Sequence, residues 1–211
     1  MSVWKRIDSS HNLPHIMTND VCIYAREYKA GQGYAAGETN QLILNFKMFV
    51  TFKGTNRWRY RDRDVRKFAE EAALNFGANS TVAITAIPSS KAKNDPDYTN
   101  RFEDMLTHLL TLRPNLIEEW PVELIQTVQA SHQAGSRNPQ QIQQHYRWRG
   151  FQNGVPQTLV LFDDVVTTGS HFRAMSDFIR SNGYTGNIVG IFWARSVFPT
   201  AQVVFSAVED E

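Results

Sequence analysis

The chain has 211 residues, of which 42% are hydrophobic and 20% are charged. This length suits one domain with a substantial core, and the composition argues against long disordered segments. The formal net charge of +1 demands neither nucleic acid nor an anionic membrane as a partner. Cys22 is the only cysteine, which excludes a disulfide framework and an all-cysteine zinc site within one chain.

The start of the chain carries charged residues and histidines and has no apolar core of a signal peptide. No apolar run reaches the length of a transmembrane helix. We therefore expect a soluble protein of the cytoplasm with no membrane partner.

The N-terminal quarter is predicted to be rich in β structure. Residues 20–28 have the composition of a strand, and a polar, Gly-containing stretch follows over residues 30–39. A second strand is predicted where hydrophobic residues alternate with other residues, namely Leu44, Phe46, Met48, Val50 and Phe52. We expect an antiparallel hairpin or meander, and we assign residues 1–55 to an N-terminal β-rich lobe.

Helices and strands alternate in the remainder, residues 56–211. The predicted elements are a helix near 62–77, a strand at 81–87, a helix near 98–112, a strand at 122–128, a long polar segment at 130–154, a strand at 158–162, a helix at 170–181 and a strand at 188–194. This order is typical of an open, mostly parallel α/β sheet flanked by helices. Ligands of such sheets bind at the carboxyl ends of the strands.

The most informative segment begins where the strand at 158–162 ends. Two adjacent carboxylates, Asp163 and Asp164, precede a loop of Thr167, Thr168, Gly169 and Ser170 that opens a helix. Backbone N–H groups of such a loop and of a helix N-terminus form a cradle for an anion, and the hydroxyls add donors. The carboxylates would repel a phosphate unless they face sugar hydroxyls or Mg²⁺. The chemistry therefore indicates a phosphorylated sugar with free hydroxyls.

This segment resembles the motif with which type I phosphoribosyltransferases bind 5-phosphoribosyl-1-pyrophosphate (PRPP). The resemblance implies that Asp163 and Asp164 hold the ribose 2- and 3-hydroxyls and act as the catalytic carboxylates, with Mg²⁺ contacted indirectly. It also implies that the 5-phosphate is held by a set of five residues. These are Thr167, Thr168, Gly169, Ser170 and His171.

Family members carry a pyrophosphate loop after an earlier core strand. In this chain the predicted strand at 81–87 is followed by Pro88 and then by Ser89, Ser90 and Lys91. Two hydroxyls and a lysine can hold pyrophosphate oxygens through charge-assisted hydrogen bonds. We predict that these three residues bind pyrophosphate.

A flexible hood over the sugar is expected in residues 131–149, where His132 and Arg137 are the candidate contributors. The alternative interpretation of this interval is a solvated loop or surface helix. Its placement and its Arg, His and Gln content also resemble the competence-protein F family, whose motif likewise reads Asp-Asp-Val-x-Thr-Thr-Gly. The amino-terminal cysteine zinc module of that family is absent, since Cys22 is the only cysteine.

Two further observations bear on the ligand. Family members that use 6-oxopurines place an Asp where this chain has Thr167, which argues against hypoxanthine or guanine as acceptor. A basic and aromatic run, Arg57-Trp58-Arg59-Tyr60-Arg61, could bind single-stranded nucleic acid. Nearby acidic residues favour a solvated helix start instead, so a nucleic-acid partner is possible but not indicated.

The sequence thus predicts a phosphoribosyltransferase that uses PRPP with Mg²⁺, transfers phosphoribosyl to a nitrogenous base or related acceptor and releases pyrophosphate. The alternative is a non-catalytic sensor of PRPP or nucleotides, or a nucleic-acid-linked accessory protein, on the same fold. A homodimer is compatible with both. The acceptor is not encoded in any motif that we can identify.

Overall fold

A six-stranded mixed sheet forms the centre of the computed structural model, which describes residues 3–128 and 138–198. The strands are β1 (Lys5–Arg6), β2 (Val21–Lys29), β3 (Ala83–Ala86), β4 (Ile117–Glu118), β5 (Val122–Leu124), β6 (Tyr146–Trp148), β7 (Thr158–Val166) and β8 (Asn187–Val197). The α-helices are α1 (Glu38–Phe46), α2 (Trp58–Ala73), α3 (Arg101–Leu112), α4 (Pro139–Gln143) and α5 (Ser170–Ser181).

The strand order in the main sheet is β1-β2-β8-β7-β3-β4. All neighbouring strands are parallel except β1, which runs antiparallel to β2. The last strand in sequence, β8, therefore lies between β2 and β7. A second, two-stranded antiparallel sheet pairs β5 with β6.

The sheet is covered on both faces because its central strands are apolar on both sides. On one face, Val160 and Phe162 of β7 pack with side chains of α1, α2 and α3. On the other face, Leu159 and Leu161 pack with α5 and with β5 and β6. The alternation follows from the two-residue period of a strand.

A topological switch point lies between β3 and β7. From β3 the chain passes through α3 to β4, toward one edge of the sheet, whereas from β7 it passes through α5 to β8, in the opposite direction. The helices α3 and α5 cover opposite faces. In open α/β sheets a ligand crevice forms outside the carboxyl ends of the strands at such a point.

The predicted fold class is confirmed: the sheet is mostly parallel, helices flank it, and the N-terminal pair β1–β2 is antiparallel. Three details of the prediction are wrong. Residues 44–52, where a second strand was expected, form the end of helix α1, a turn and the 3-10 helix Val50–Phe52. The strand expected at 122–128 covers only Val122–Leu124 and belongs to the small sheet.

The third detail concerns β7, which was expected to end at Phe162. It runs on to Val166 because Asp163, Val165 and Val166 keep their pairing with β8. The two carboxylates are therefore part of the strand, and their side chains follow its alternation.

Candidate functional site

The adjacent carboxylates of β7 point to opposite faces of the sheet, as neighbouring residues of a strand do. Asp164 faces the helices α1 and α3 and is 3% exposed. Its Oδ1 lies 2.8 Å from Lys47 Nζ, and its Oδ2 accepts a hydrogen bond of 3.3 Å from Arg101 Nη2. Asp164 thus ties together β7, the end of α1 and the start of α3.

Asp163 is partly buried and faces the side on which β6 lies. Its Oδ1 accepts a hydrogen bond of 2.8 Å from the backbone N–H of Asp164. Within the described residues, the buried hydroxyl of Tyr146 has no hydrogen-bond partner. Burial, and then the charge of Asp163, raise the pKa of Tyr146. The negative charge of Asp163 therefore disfavours ionisation of the Tyr146 phenol.

The two carboxylates differ in acidity. Burial and then the charge of Asp164 raise the pKa of Asp163 to about 7. Burial acts against ionisation of Asp164 as well, but Lys47 and Arg101 outweigh it and lower the pKa of Asp164. Asp164 is therefore the ionised member of the pair, and Asp163 takes up a proton near neutral pH.

The predicted phosphate loop leads from β7 into α5, which begins at Ser170. Gly169 has a φ of +82°, a left-handed conformation that glycine adopts without strain. The Thr168 hydroxyl lies 3.2 Å from that of Ser170 and accepts a 3.4 Å hydrogen bond from the Ser170 N–H. Thr167 is exposed, and His171 is the second residue of α5.

An N-terminal segment lies against this loop. The N–H of His15 donates a 3.0 Å hydrogen bond to the carbonyl of Thr168. A Cβ added to Gly169 would lie 2.6 Å from Cγ1 of Ile16. The glycine therefore admits Ile16, a contact that the sequence did not indicate.

The predicted pyrophosphate loop lies at the same edge of the sheet as β7's end. The N–H of Ile87 donates a 2.8 Å hydrogen bond to the carbonyl of Phe162, so Pro88 and Ser89 follow directly beside Asp163. The Ser89 hydroxyl accepts a 3.4 Å hydrogen bond from the Lys91 N–H. The carbonyl of Ser90 accepts a 2.9 Å hydrogen bond from the Val128 N–H.

Lys91 is engaged by carboxylates of its own loop. Its Nζ lies 3.3 Å from Asp95 and 3.4 Å from Asp97. Desolvation disfavours the charged amine, but the hydrogen bonds to these two carboxylates outweigh it and raise the pKa of Lys91. The lysine is thus charged and already partly neutralised.

The hood candidates His132 and Arg137 lie outside the described residues. The described remainder of that interval forms α4 and β6. Tyr146 and Ile142 are buried against α5 and the small sheet, so residues 139–148 belong to the packed protein.

A cavity of about 270 Å³ lies beside the pyrophosphate loop. It has aromatic side chains from Tyr98 and Trp120, and the Lys93 Nζ lies 5.1 Å from the centroid of a Trp120 ring. Glu123 lines it as well; among the described residues its buried Oε2 has no hydrogen-bond partner, although Arg149 lies 3.7 Å away. The loop residues Pro88, Ser89 and Lys91 complete the wall.

A Mg²⁺ ion would find few ligands from the protein itself. The described residues contain no group of three or more His, Cys, Asp or Glu side chains placed to hold a metal. Asp164 is occupied by Lys47 and Arg101, which leaves Asp163 as the carboxylate of the motif able to contact a cation. These residues fit a metal carried mainly by ligand oxygens, not one bound by the chain alone.

Sequence reasoning missed Lys47, Arg101 and the aromatic cavity. Lys47 was missed because residues 44–52 were interpreted as a strand. In the structure, Lys47 directly follows the C-terminus of α1. Arg101 is the first residue of α3 and belongs to no sequence motif that would have singled it out. Tyr98 lies more than 20 residues before Trp120 and Glu123, so no local spacing along the chain signals that the three line one cavity.

Comparison with solved structures found similarity to a hypoxanthine phosphoribosyltransferase from Staphylococcus aureus, at 8% sequence identity. The alignment covers 64% of this chain and 74% of that enzyme, with a TM-score of 0.37. At this level the likeness concerns the fold alone. No protein-family model matches the chain, and the comparison with curated proteins found no match either. Among the described residues, no helix has the length and apolarity needed to cross a membrane.

Proposed function

We propose that this protein binds PRPP at the carboxyl edge between β3 and β7 and transfers its phosphoribosyl group to a nitrogenous acceptor, releasing pyrophosphate. One observation carries the proposal. Two loops singled out from sequence chemistry, far apart in the chain, follow the two strands that flank the switch point. A crevice at that point is where such a sheet binds its ligand.

Each part of PRPP has a partner in this arrangement. The 5-phosphate lies on the loop from Thr167 to His171 and the N-terminus of α5. Asp163 accepts hydrogen bonds from ribose hydroxyls, while Asp164 holds the strand end in place through Lys47 and Arg101. Ser89, Ser90 and Lys91 take the pyrophosphate, and Mg²⁺ arrives bound to its oxygens.

The acceptor occupies the cavity between Tyr98 and Trp120. Its wall includes Ser89 and Lys91, so a ligand there lies next to the leaving pyrophosphate. The unsatisfied Oε2 of Glu123 suits an N–H donor of a planar heterocycle, and the aromatic walls suit its faces. Thr167 in place of Asp argues against a 6-oxopurine as that heterocycle.

A second candidate function is a PRPP or nucleotide sensor without turnover. The observation that favours it is the pairing of Lys91 with Asp95 and Asp97, which reduces the positive charge available to a departing pyrophosphate. Binding of PRPP is common to both candidates, whereas release of pyrophosphate belongs to the enzyme alone.

Two measurements test the proposal. PRPP at millimolar concentration with Mg²⁺ is expected to raise the melting temperature, because a ligand that binds only the native state stabilises it. No thermal shift in a folded sample would overturn the site. Pyrophosphate release is then measured with a panel of nitrogen bases, and a protein that binds PRPP yet releases no pyrophosphate with any base is a sensor.

A further inference from the structure

Positive charge is concentrated in one short stretch of this nearly neutral chain. Residues 53–67 contain seven Lys or Arg and two Asp, a net charge of +5, while the whole chain carries +1. The stretch covers the loop before α2 and the first two turns and more of that helix. A local excess of this kind is the electrostatic footprint of an anionic partner.

The structure leaves most of these cations available. Lys53, Arg57, Arg59 and Arg66 are exposed, and none forms an ion pair within the part of the chain that the structure describes. The two aspartates do not neutralise them. Asp62 pairs with the buried Arg61, and Asp64 is fully buried, where it accepts hydrogen bonds from Asn45 and Arg63.

Aromatic rings lie among these cations. Tyr60 is 39% exposed and has the guanidinium groups of Arg59 and Arg63 at 5.0 Å and 5.4 Å from its ring centroid. Tyr34 is 43% exposed and faces the same cavity of about 270 Å³ as Tyr60. Arg57 and Arg63 also line this cavity, and the buried side chain of Met48 contributes to its floor.

We propose that this surface binds single-stranded nucleic acid, and we name it the Arg57 face. Its members are Tyr34, Lys53, Arg57, Arg59, Tyr60, Arg63 and Arg66. The unpaired cations contact backbone phosphates, and unstacked bases lie against Tyr60 and Tyr34. The proposal does not rest on PRPP binding, because none of these residues belongs to the site at the sheet edge.

The chemistry favours a single strand over the other anionic partners. A duplex keeps the faces of its bases stacked on one another, so it offers none to the tyrosine-lined cavity and would leave it unused. A membrane surface needs an exposed apolar stripe on the helix, whereas Val65, Phe68 and the alanines of α2 are buried in the core.

The test measures fluorescence anisotropy of a labelled 20-nucleotide poly(dT) strand with the full chain. We expect micromolar affinity at 50 mM salt that weakens about tenfold or more at 200 mM, because phosphate contacts release counterions. The variant Arg57→Glu/Arg59→Glu should weaken binding about tenfold or more, through lost contacts and added repulsion. Tyr60→Ala should weaken it about fivefold or more with little change in salt dependence.

Lys5→Glu/Arg6→Glu is the matched control, since it also reverses two exposed cations that have no ion pair among the described residues, on the edge strand β1. Circular dichroism and melting temperature verify that every variant is folded. Equal loss in the control, or no binding by wild type at 50 mM salt, would overturn the proposal. So would equal affinity for a duplex of the same length or for vesicles containing anionic lipid. A poly(rU) strand run in parallel decides between DNA and RNA as the source of the single strand.

Discussion

Asp163 and Asp164 are neighbours in sequence but perform separate tasks. Asp164 is buried with two cationic partners, while Asp163 accepts a hydrogen bond from the backbone N–H of Asp164. The resemblance to a known motif treats them as a pair. The structure predicts that their substitutions have different consequences.

Replacing Asp164 by Asn should destabilise the fold by about 1–3 kcal/mol, because Lys47 and the largely buried Arg101 lose their counter-charge. Asp163→Asn should leave stability at pH 8 equal or higher and weaken PRPP binding at least tenfold. Urea unfolding and PRPP titration, run on both variants, provide the comparison. If Asp163→Asn unfolds the protein while Asp164→Asn does not, the roles are reversed.

The raised pKa of Asp163 has a consequence for the pH dependence of stability. Its value of about 7, against an ordinary 3.8, means that the folded protein holds an extra proton between these two pH values. The free energy of unfolding should therefore fall as pH rises from about 4 to 7, by up to about 4 kcal/mol from this group. In the Asp163→Asn variant, this contribution to the pH dependence of the free energy of unfolding should vanish. A control substitution at an exposed carboxylate, Glu70→Gln, should retain it. Urea unfolding at pH 5 and pH 8 measures the difference, and an unchanged slope in Asp163→Asn would refute the assignment.

Gly169 is required by its conformation and by its neighbour. Alanine there would adopt a positive φ and place a Cβ 2.6 Å from Ile16 Cγ1. We expect Gly169→Ala to cost about 1–3 kcal/mol, from backbone strain together with the clash. The double variant with Ile16→Ala should regain the stability lost to the clash but not the stability lost to backbone strain. A Gly169→Ala protein as stable as wild type by urea unfolding would show that the loop is not held as described.

At the scale of elements, the predicted hood falls on the chain that follows β5 and on β6 itself. Deleting the whole predicted interval would also remove Tyr146 and the buried face of α4. Replacing only residues 129–137 with a Gly-Ser linker tests the hood without this damage. PRPP affinity should stay within about threefold, whereas pyrophosphate release should fall by about 100-fold or more, because water enters and transition-state charge is less well stabilised. A linker variant with full turnover would exclude His132 and Arg137 from the mechanism.

Elements whose apolar residues follow one clear period were predictable from the sequence. The helix α1, whose end shows a misleading alternation, was not. The helix α5 and the strand β8 have clear apolar patterns between turn residues, and both were predicted within a few residues. The apparent alternation at 44–52 instead spans the end of α1, a turn and a 3-10 helix. Phe46 packs edge-on against Phe68, Phe102 and Trp193, and these distant contacts decide in favour of the helix.

The sequence indicates the residues of the candidate site only where they are contiguous. The loop after β7 and the loop after β3 were both found from local chemistry, and the parallel sheet brings them to one edge. The opposite orientation of Asp163 and Asp164 follows from strand alternation, but only once β7 is known to extend to Val166. Partners such as Lys47 depend on tertiary packing, which no local pattern encodes.

For the molecule as a whole, the predicted division at residue 55 can be tested directly. β2 pairs with β8 along most of its length, so residues 1–55 supply a strand to the main sheet. A fragment of residues 56–211 would leave the edge of β8 unpaired and expose core side chains that Cys22 and Tyr24 cover. We expect this fragment to aggregate or to lack a cooperative thermal transition by near-ultraviolet circular dichroism. Cooperative unfolding at the temperature of the full chain would establish an independent lobe.

The position of β8 also governs how the protein can fold as it leaves the ribosome. β2 is synthesised early, but its parallel partner is β8, more than 150 residues later. Until β8 has emerged, β2 can pair only with the two residues of β1, and the edge of β7 that β8 will cover stays unpaired. Sheet closure is therefore a late event that joins both ends of the chain, and nascent chains ending before residue 187 should depend most on chaperones that shield strand edges.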